Sequence, residues 1–207
     1  MQAISKVLFG IANSLLIPDI VLLILFFVWA LIILGATYAA YMNRRKNQRI
    51  IGSAIKELTP QGLPEFTSLS ATLAPSTFST YLSDLLGSDA SEDYADWLLG
   101  EYESVAAGEL NTARLLTKVG PVLGLMGTLI SMSPALVGLS TGDISGMAYN
   151  MQVVFSTTVL GLVISIIGLF VQQVKQRWFA ADVNNLDRVA RVMSGSVGQN
   201  RERSVQQ

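Results

Sequence analysis

Two long apolar segments, 115–137 and 147–174, limit the folds open to this chain; the short segment 138–146 separates them. Each can cross a bilayer as a helix, because about 20 residues rising about 1.5 Å each span a hydrocarbon core of about 30 Å. Two such helices with a short connection run antiparallel. The sequence therefore predicts a membrane hairpin formed by transmembrane helices 2 and 3.

The composition is typical of a membrane protein with several spans. Of 207 residues, 51% are hydrophobic and 14% are charged, and mean hydropathy is +0.47, too apolar for an ordinary soluble domain. The chain has no cysteine and no histidine, which removes disulfides, thiol nucleophiles, imidazole bases and the commonest zinc ligands. The net charge of -1, without a basic block, argues against nucleic-acid binding. We expect no cofactor and no enzyme activity.

A first span is predicted over 19–42, where the stretch from Ile20 to Tyr41 carries no charge. The alternative is a cleaved signal peptide, with Gly35 to Ala40 imitating a small-residue cleavage site. The apolar run exceeds a signal core, however, and basic residues follow at once. The predicted fold class is an all-α polytopic membrane protein with three transmembrane helices that extend into the cytoplasm.

The basic residues predict the orientation, because Lys and Arg beside a span stay on the cytoplasmic side. Of the 14 Lys and Arg residues, all but Lys6 lie around the segment between spans 1 and 2 or after span 3. We therefore expect 43–114 and 175–207 in the cytoplasm and the 138–146 loop outside. The expected location is the cell inner membrane, with the N-terminus outside and the C-terminus cytoplasmic.

The flanking segments are predicted to be helical. Apolar residues recur at helical spacing within 1–18, which favours an amphipathic helix in the outer interface, a frayed extension of span 1 being the alternative. Pro18 and Asp19 are expected to mark the turn into the membrane. The 43–114 segment reads as helical extensions plus a small cap, with breaks at 59–64 and near 74–75. Its acidic residues fit solvated helix faces better than a carboxylate metal site.

Small and hydroxylated residues follow one face of each hairpin helix. In span 2 these are Gly120, Gly124 and Thr128, beside Pro121 and Gly127; in span 3 they are Thr157, Gly161 and Ser165, with Ser156 and Thr158 flanking. Thr128 and Thr158 each lie fifteen residues from Asp143, so we expect their hydroxyls at one depth near the midplane. Such stripes serve helix packing alone in many membrane proteins. Hydroxyls at matched depth on both helices also suggest a polar path.

The run 117–132, TKVGPVLGLMGTLISM, resembles the second-span signature of the MotA/TolQ/ExbB proton-channel family, and STTVLGL at 156–162 resembles its third-span motif. The order of three spans, with a cytoplasmic insert after the first, is similar to ExbB and TolQ. The resemblance places the family's channel-lining threonines on Thr128 and Thr158 and its proline on Pro121. It departs at Val153, where ExbB-like proteins carry a glutamate.

The resemblance also implies a partner. The apolar stretches 20–41, 119–137 and 147–174 carry no Asp, Glu, Lys, Arg or His, so we expect the titratable acid to come from another chain. In the family that chain is a single-span ExbD, TolR or MotB type protein whose membrane aspartate sits inside a homopentamer of channel subunits. The resemblance thus implies a stator of an ion-driven motor, with Ser156, Thr157, Thr158 and Thr128 along the ion pathway.

Two questions stay open at the level of sequence. The adjacent hydroxyls of Ser156, Thr157 and Thr158 would suit a dehydrated sodium ion as well as a water chain that carries protons. A non-conducting membrane scaffold, assembled through its small-residue helix faces, is the alternative function.

Overall fold

The computed structural model describes residues 4, 7, 10, 11, 13–87 and 92–205, and this part of the chain is helical without a strand. The helices are α1 (Leu16–Lys56), α2 (Leu63–Ser70), α3 (Thr77–Gly87), α4 (Glu92–Thr141) and α5 (Ile144–Val205), with a 3₁₀ turn at Pro60–Gly62. Helices α1, α4 and α5 are long and apolar enough to cross a membrane. The protein is therefore an all-α, multi-pass membrane protein.

Helices α4 and α5 continue well beyond the predicted spans 2 and 3. Helix α4 has 50 residues and α5 has 62, about three times what a bilayer requires in the case of α5. Pro121 and Pro134 lie inside α4. A proline is tolerated in a membrane helix when neighbouring groups satisfy the carbonyl that lost its hydrogen bond to the missing N–H. The helical extensions predicted from the sequence are thus uninterrupted continuations of the spans.

The chain divides into two compact units. The first contains 1–36 and 111–173 and the second contains 37–110 and 174–207. In the first unit a narrow apolar core is formed by Leu23, Ala30, Ala113, Leu116, Leu123, Ile164, Ile167 and Val171. Many other apolar side chains of this unit are exposed, among them Ile24, Leu129 and Phe155. Exposed apolar surface of this extent is suited to lipid or to another protein chain.

The second unit has its own core, to which the short helices contribute. Phe66 of α2 and Leu82 of α3 are buried there with Leu98 and Tyr102 of α4 and Leu186 of α5. The chain leaves helical structure at 57–59 and at 71–76, close to the breaks predicted at 59–64 and 74–75. Proline at 60, 64 and 75 accounts for both positions, since it cannot continue an N–H ladder.

A buried ion pair joins three helices of the second unit. Arg44 donates two hydrogen bonds to the Asp182 carboxylate, both 2.6 Å, and a third of 3.1 Å to the Trp178 carbonyl. The Tyr102 hydroxyl donates to the same carboxylate at 2.9 Å. Burial, together with the negative charge of Asp182, raises the pKa of Tyr102 above its ordinary value. Arg44, which contributed to the predicted orientation, is therefore also a structural residue.

The acidic residues of α4 lie mostly on exposed faces. Glu109 is an exception, because it accepts a hydrogen bond of 2.9 Å from Lys175 and one of 3.3 Å from Thr77. No group of three or more acidic side chains able to hold a metal ion occurs among the described residues. Through Glu109, the charged face of α4 thus takes part in packing within the second unit.

The ends of the first unit differ from the sequence prediction in two respects. The predicted 138–146 loop is much shorter, since α4 ends at Thr141 and α5 begins at Ile144. The predicted turn at Pro18 and Asp19 is wrong, because both residues lie within α1 and the only non-helical residue described nearby is Leu15. Within 1–18, the residues described at 4, 7, 10, 11, 13 and 14 are helical, whereas Lys6 and Leu8 lie outside the described residues.

The hairpin connection combines a glycine C-cap with an aspartate N-cap. Gly142 has φ +77°, and the Gly142 and Asp143 N–H groups donate to Leu139 and Gly138 carbonyls, which is a Schellman arrangement. Asp143 Oδ1 accepts 2.9 Å and 3.0 Å hydrogen bonds from Gly146 N–H and Ser145 Oγ. These bonds hold the pKa of Asp143 below its ordinary value. The connection therefore depends on a glycine at 142 to end α4 and on an aspartate at 143 to begin α5.

We expect Gly142→Ala to destabilise the hairpin by about 1 kcal/mol, because a Cβ is unfavourable at this positive φ. Thermal unfolding in detergent measures the change. An unchanged unfolding temperature in Gly142→Ala contradicts this account of the connection.

The Asp143 carboxylate should stabilise the hairpin at pH values above its unfolded pKa, and this contribution should be lost as the pH falls through its lower folded pKa. Asp143→Asn should therefore lower the unfolding temperature more at pH 7 than at pH 3.

Candidate functional site

The two hairpin helices approach each other at glycines. A Cβ on Gly120 would lie 2.6 Å from the Gly161 carbonyl oxygen, and one on Gly161 would lie 2.5 Å from the Gly120 oxygen and 2.9 Å from Gly124 Cα. All three distances are shorter than any van der Waals contact of a carbon atom, so only glycine fits. The predicted small-residue stripe is thus the place where the α4 and α5 backbones are closest.

The close approach extends in both directions along the hairpin. Toward one end, the Ser165 hydroxyl donates to the Thr117 carbonyl across the helices at 3.1 Å, and a Cβ on Gly168 would lie 2.7 Å from Thr117 Oγ1. The sequence analysis included Ser165 and missed Gly168, which lies seven residues after Gly161 and so falls on the same face. Toward the other end, a Cβ on Gly124 would lie 3.1 Å from the Thr157 carbonyl oxygen and one on Gly127 would lie 2.8 Å from Thr157 Cβ.

The four hydroxyl residues of the predicted ion pathway lie within about one turn of one another along the hairpin. A Cβ on Gly124 would meet the backbones of Thr157 and Thr158, and one on Gly127, which directly precedes Thr128, would meet the Thr157 side chain. Thr157 is buried between the helices, Thr128 and Thr158 are half-buried, and Ser156 is exposed. The structure therefore brings the four residues to one level but not to one face.

The hydroxyl hydrogens are used within the helices. Thr128 donates to the Leu125 carbonyl at 2.6 Å, Thr158 to Val154 at 2.9 Å and Ser156 to Gln152 at 2.8 Å. Each hydroxyl oxygen keeps lone pairs that can accept further hydrogen bonds or contact a cation. Because Thr128 and Thr158 are only half-buried, these lone pairs are open to a neighbouring chain or to water. Pro121 is also half-buried, on the same helix as Thr128.

An aspartate lies beside this level, contrary to the expectation that the spans carry no ionisable side chain. Asp19 of α1 is 1% exposed, and its Oδ2 is 2.8 Å from the point that a Gly127 Cβ would occupy, while Thr157 Oγ1 is 2.9 Å from it. Gly127 lies near the middle of the predicted span 115–137. Asp19 therefore lies beside the middle of that predicted span, not beside its end.

The signal for Asp19 is present in the sequence. Leu23 and Ala30, which follow Asp19 at helical spacing, are both buried in the core of the first unit. The same helix face therefore continues back to Asp19 once α1 is allowed to begin before Pro18. Proline is compatible with that start, because a residue of the first helical turn has no intrahelical use for its N–H.

A second polar side chain near this level is also without a partner. Ser131 is fully buried, and neither its hydroxyl nor either Asp19 oxygen forms a hydrogen bond within the described part of the chain. Ser131 lies four residues after Gly127 and therefore on the same side of α4. Buried polar groups are nearly always hydrogen-bonded, so these two unpaired groups set this end of the hairpin apart from an ordinary apolar core.

Comparison with known proteins supports the resemblance of the two hairpin motifs. The sequence model of the MotA/TolQ/ExbB proton channel family matches residues 71–188, more than half of the chain, including α4 from Glu92 onward and most of α5. No curated protein matches the chain. The family consists of channel and transport-associated membrane proteins, and its members assemble with other chains. By this match, the protein belongs to the MotA/TolQ/ExbB proton channel family.

Proposed function

We propose that this protein is the channel and stator subunit of a motor that couples ion flow across the cell inner membrane to mechanical work. The observation that carries the proposal is the position of Thr128 and Thr158, half-buried hydroxyls at one level of a glycine-packed hairpin. Rigid packing on one side and open oxygen lone pairs on the other suit a wall along which ions or water pass. Family membership supports a channel function of this kind.

In the proposed assembly, a homopentamer surrounds a single-span partner that carries a membrane aspartate. Its support from the structure is the apolar surface of the first unit: α1, α4 and α5 leave most of their apolar side chains incompletely buried within one chain. Thr128 and Thr158 lie on this incompletely buried surface. Their hydroxyl groups, once rotated away from the carbonyls of their own helices, would donate hydrogen bonds to the partner's carboxylate and so lower the cost of charging it, because hydrogen bonds to the charged form stabilise it.

The energy for work would come from the membrane potential. Moving one elementary charge across 100 mV is worth about 2.3 kcal/mol. A few ions per cycle therefore suffice for a conformational change of several kcal/mol. The proposed orientation places the second unit in the cytoplasm, which agrees with its exposed basic residues Arg45, Lys46 and Arg49 and with the positive-inside rule.

Isolation of the native complex from its own membrane tests the assembly. We expect five copies of this chain with a single-span protein that has one membrane aspartate, by native mass spectrometry. Liposomes that contain both proteins should pass protons or sodium ions under an imposed potential. A homogeneous complex of this chain alone that drives no flux contradicts the motor and favours the membrane scaffold.

Replacing either channel threonine by valine should reduce the ion flux through the assembled complex by about ten- to hundredfold. Valine keeps the shape and removes a hydrogen bond to a charged group worth about 1.5–3 kcal/mol. The measurement is ion flux in liposomes for Thr128→Val and Thr158→Val. The matched control is Thr141→Val, since the Thr141 hydroxyl is also bound to carbonyls of its own helix but lies at the hairpin connection. Wild-type flux in both channel variants excludes these residues from the pathway.

A further inference from the structure

The unpartnered carboxyl group of Asp19 is the least explained polar group in the first unit. Its side chain is 1% exposed, and both oxygens are buried without a hydrogen-bond partner among the described residues. It lies where α1 packs on Gly127 of α4 and beside Thr157 of α5. A buried carboxylate without compensation is far costlier than a buried neutral group.

No cation of the packed helices compensates this group. On α4, Lys118 is nine residues before Gly127, which corresponds to about 13 Å along the helix, and no titratable residue follows in α4. On α5, between Ile144 and Val174, the only titratable side chain is Tyr149, eight residues before Thr157. On α1, Asp19 is followed by no titratable residue before Tyr38. Lys6 lies outside the described residues.

The glycine at 127 provides the space for the carboxyl group. Asp19 Oδ2 and Thr157 Oγ1 approach the same point, 2.8 Å and 2.9 Å from where a Cβ of residue 127 would be. Thr157 already donates its hydroxyl hydrogen to the carbonyls of Val153 and Val154, both 3.1 Å. In this arrangement its oxygen is left to accept, and a protonated carboxyl group is the form of Asp19 that can donate to it.

Ser131 adds a second buried hydroxyl, about one helical turn along α4 from Gly127. It is fully buried on the Gly127 side of α4, and its hydroxyl has no partner in the described part of the chain. A serine hydroxyl can accept from a neutral acid and, after rotation, donate to a carboxylate. The polar groups around Asp19 thus suit the addition and removal of one proton better than the binding of a bare metal cation, which requires several oxygen ligands.

We propose that Asp19 is a proton-binding site within each subunit, formed by its carboxyl group in the space over Gly127, with the hydroxyl oxygen of Thr157 beside it and that of Ser131 about one helical turn along α4. The step is COO⁻ plus one proton from water giving COOH, without any other bond change. Thr157 precedes Thr158 in sequence, so this site adjoins the proposed ion pathway. Binding of the proton follows from the geometry alone, whereas a role in ion transfer rests on the proposed function.

Infrared spectroscopy of the purified full chain in detergent or lipid tests the site. At pH 7, exposed aspartates and glutamates are ionised, so a protonated-carboxyl C=O band at that pH reports an exceptional site. We expect the band in the wild type, its loss in Asp19→Asn, and its retention in Asp143→Asn, which alters the exposed aspartate of the hairpin connection. Asparagine is nearly isosteric with the neutral acid, and we expect the variant to assemble normally.

Two further measurements make the result decisive. Isotopic labelling of the aspartate carboxyl carbon in the wild type must shift the band, which needs no variant to fold. Gly127→Ala, which fills the space over residue 127, must shift or abolish the band, whereas Gly35→Ala, with nothing within 4 Å of its Cβ, must leave it. A carboxylate signal for Asp19 at pH 7, whether paired with a cation of another chain or dependent on added sodium, overturns the proposal.

Ion flux separates this proposal from the proposed function. In liposomes with the complete complex, we expect Asp19→Asn to reduce proton flux by at least about tenfold, and wild-type flux in that variant overturns a role for the site in transfer. If the wild-type complex conducts nothing, the proposed function fails, while the infrared result on the purified chain still decides whether Asp19 binds a proton.

Discussion

Asp182→Ala is expected to destabilise the protein by about 3–5 kcal/mol, because it leaves the Arg44 guanidinium buried without its counter-charge. The Arg44 side chain is only 16% exposed and the Asp182 side chain 6%. The same substitution removes the acceptor of the fully buried Tyr102 hydroxyl. Three helices of the second unit would lose their common polar contact. The free energy of unfolding in a mild detergent, measured by chemical denaturation, gives the effect.

Asp187→Ala is the matched control for this prediction. It removes an aspartate five residues further along α5 whose partner, Arg191, is 79% exposed. Exposed pairs at this helical spacing are worth about 0.3–0.5 kcal/mol. Equal losses in the two variants contradict a structural role for the buried pair.

The raised pKa of Tyr102 makes stability depend on pH. The free energy of unfolding should keep the Tyr102 contribution below the ordinary tyrosine pKa of about 10 and lose it as the pH rises above that value.

Gly161→Ala is expected to destabilise the membrane hairpin by about 3 kcal/mol, near the upper limit for overpacked cores. The new Cβ would lie 2.5 Å from the Gly120 carbonyl oxygen and 2.9 Å from Gly124 Cα. Both are backbone atoms, so no side-chain rotation relieves the clash and the helices must separate. Separation also weakens the hydrogen bond from Ser165 to the Thr117 carbonyl. Unfolding of the purified chain in mixed detergent micelles measures the loss.

Gly35→Ala provides the comparison for Gly161→Ala. It lies in span 1, where a Cβ meets nothing within 4 Å. Alanine favours a helix over glycine by about 1 kcal/mol, so this variant should be as stable as the wild type or slightly more stable. If Gly161→Ala has the same free energy of unfolding as Gly35→Ala, the glycine contacts do not hold the hairpin together.

The fold was largely predictable from the sequence because its determinants are local. Span length and the absence of charge identify membrane helices, and proline at 60, 64 and 75 marks the breaks of the second unit. The hairpin connection was predicted too long, because apolar composition fades before helical structure does. Polar and small residues continue α4 as far as Thr141, and others begin α5 at Ile144.

The residues that the sequence could not assign are those whose roles depend on distant partners. Arg44 and Asp182 are 138 residues apart, and nothing in either neighbourhood distinguishes them from solvated charges. Asp19 was interpreted from its neighbour Pro18 as a turn residue, although its helical register with Leu23 and Ala30 favours burial. For Thr128 and Thr158, motif and spacing gave the position, whereas their partly open surface became visible only in three dimensions.

The central claim, that Thr128 and Thr158 line a hydrated path in the assembled protein, can be tested by thiol accessibility. The chain contains no cysteine, so Thr128→Cys and Thr158→Cys each introduce the only thiol. The control is Val159→Cys, at an exposed apolar position of the same helix. In native membranes that contain the partner, the account predicts rapid reaction of both channel positions with a small water-soluble thiol reagent and slow reaction at 159. Equal protection of all three positions would contradict it.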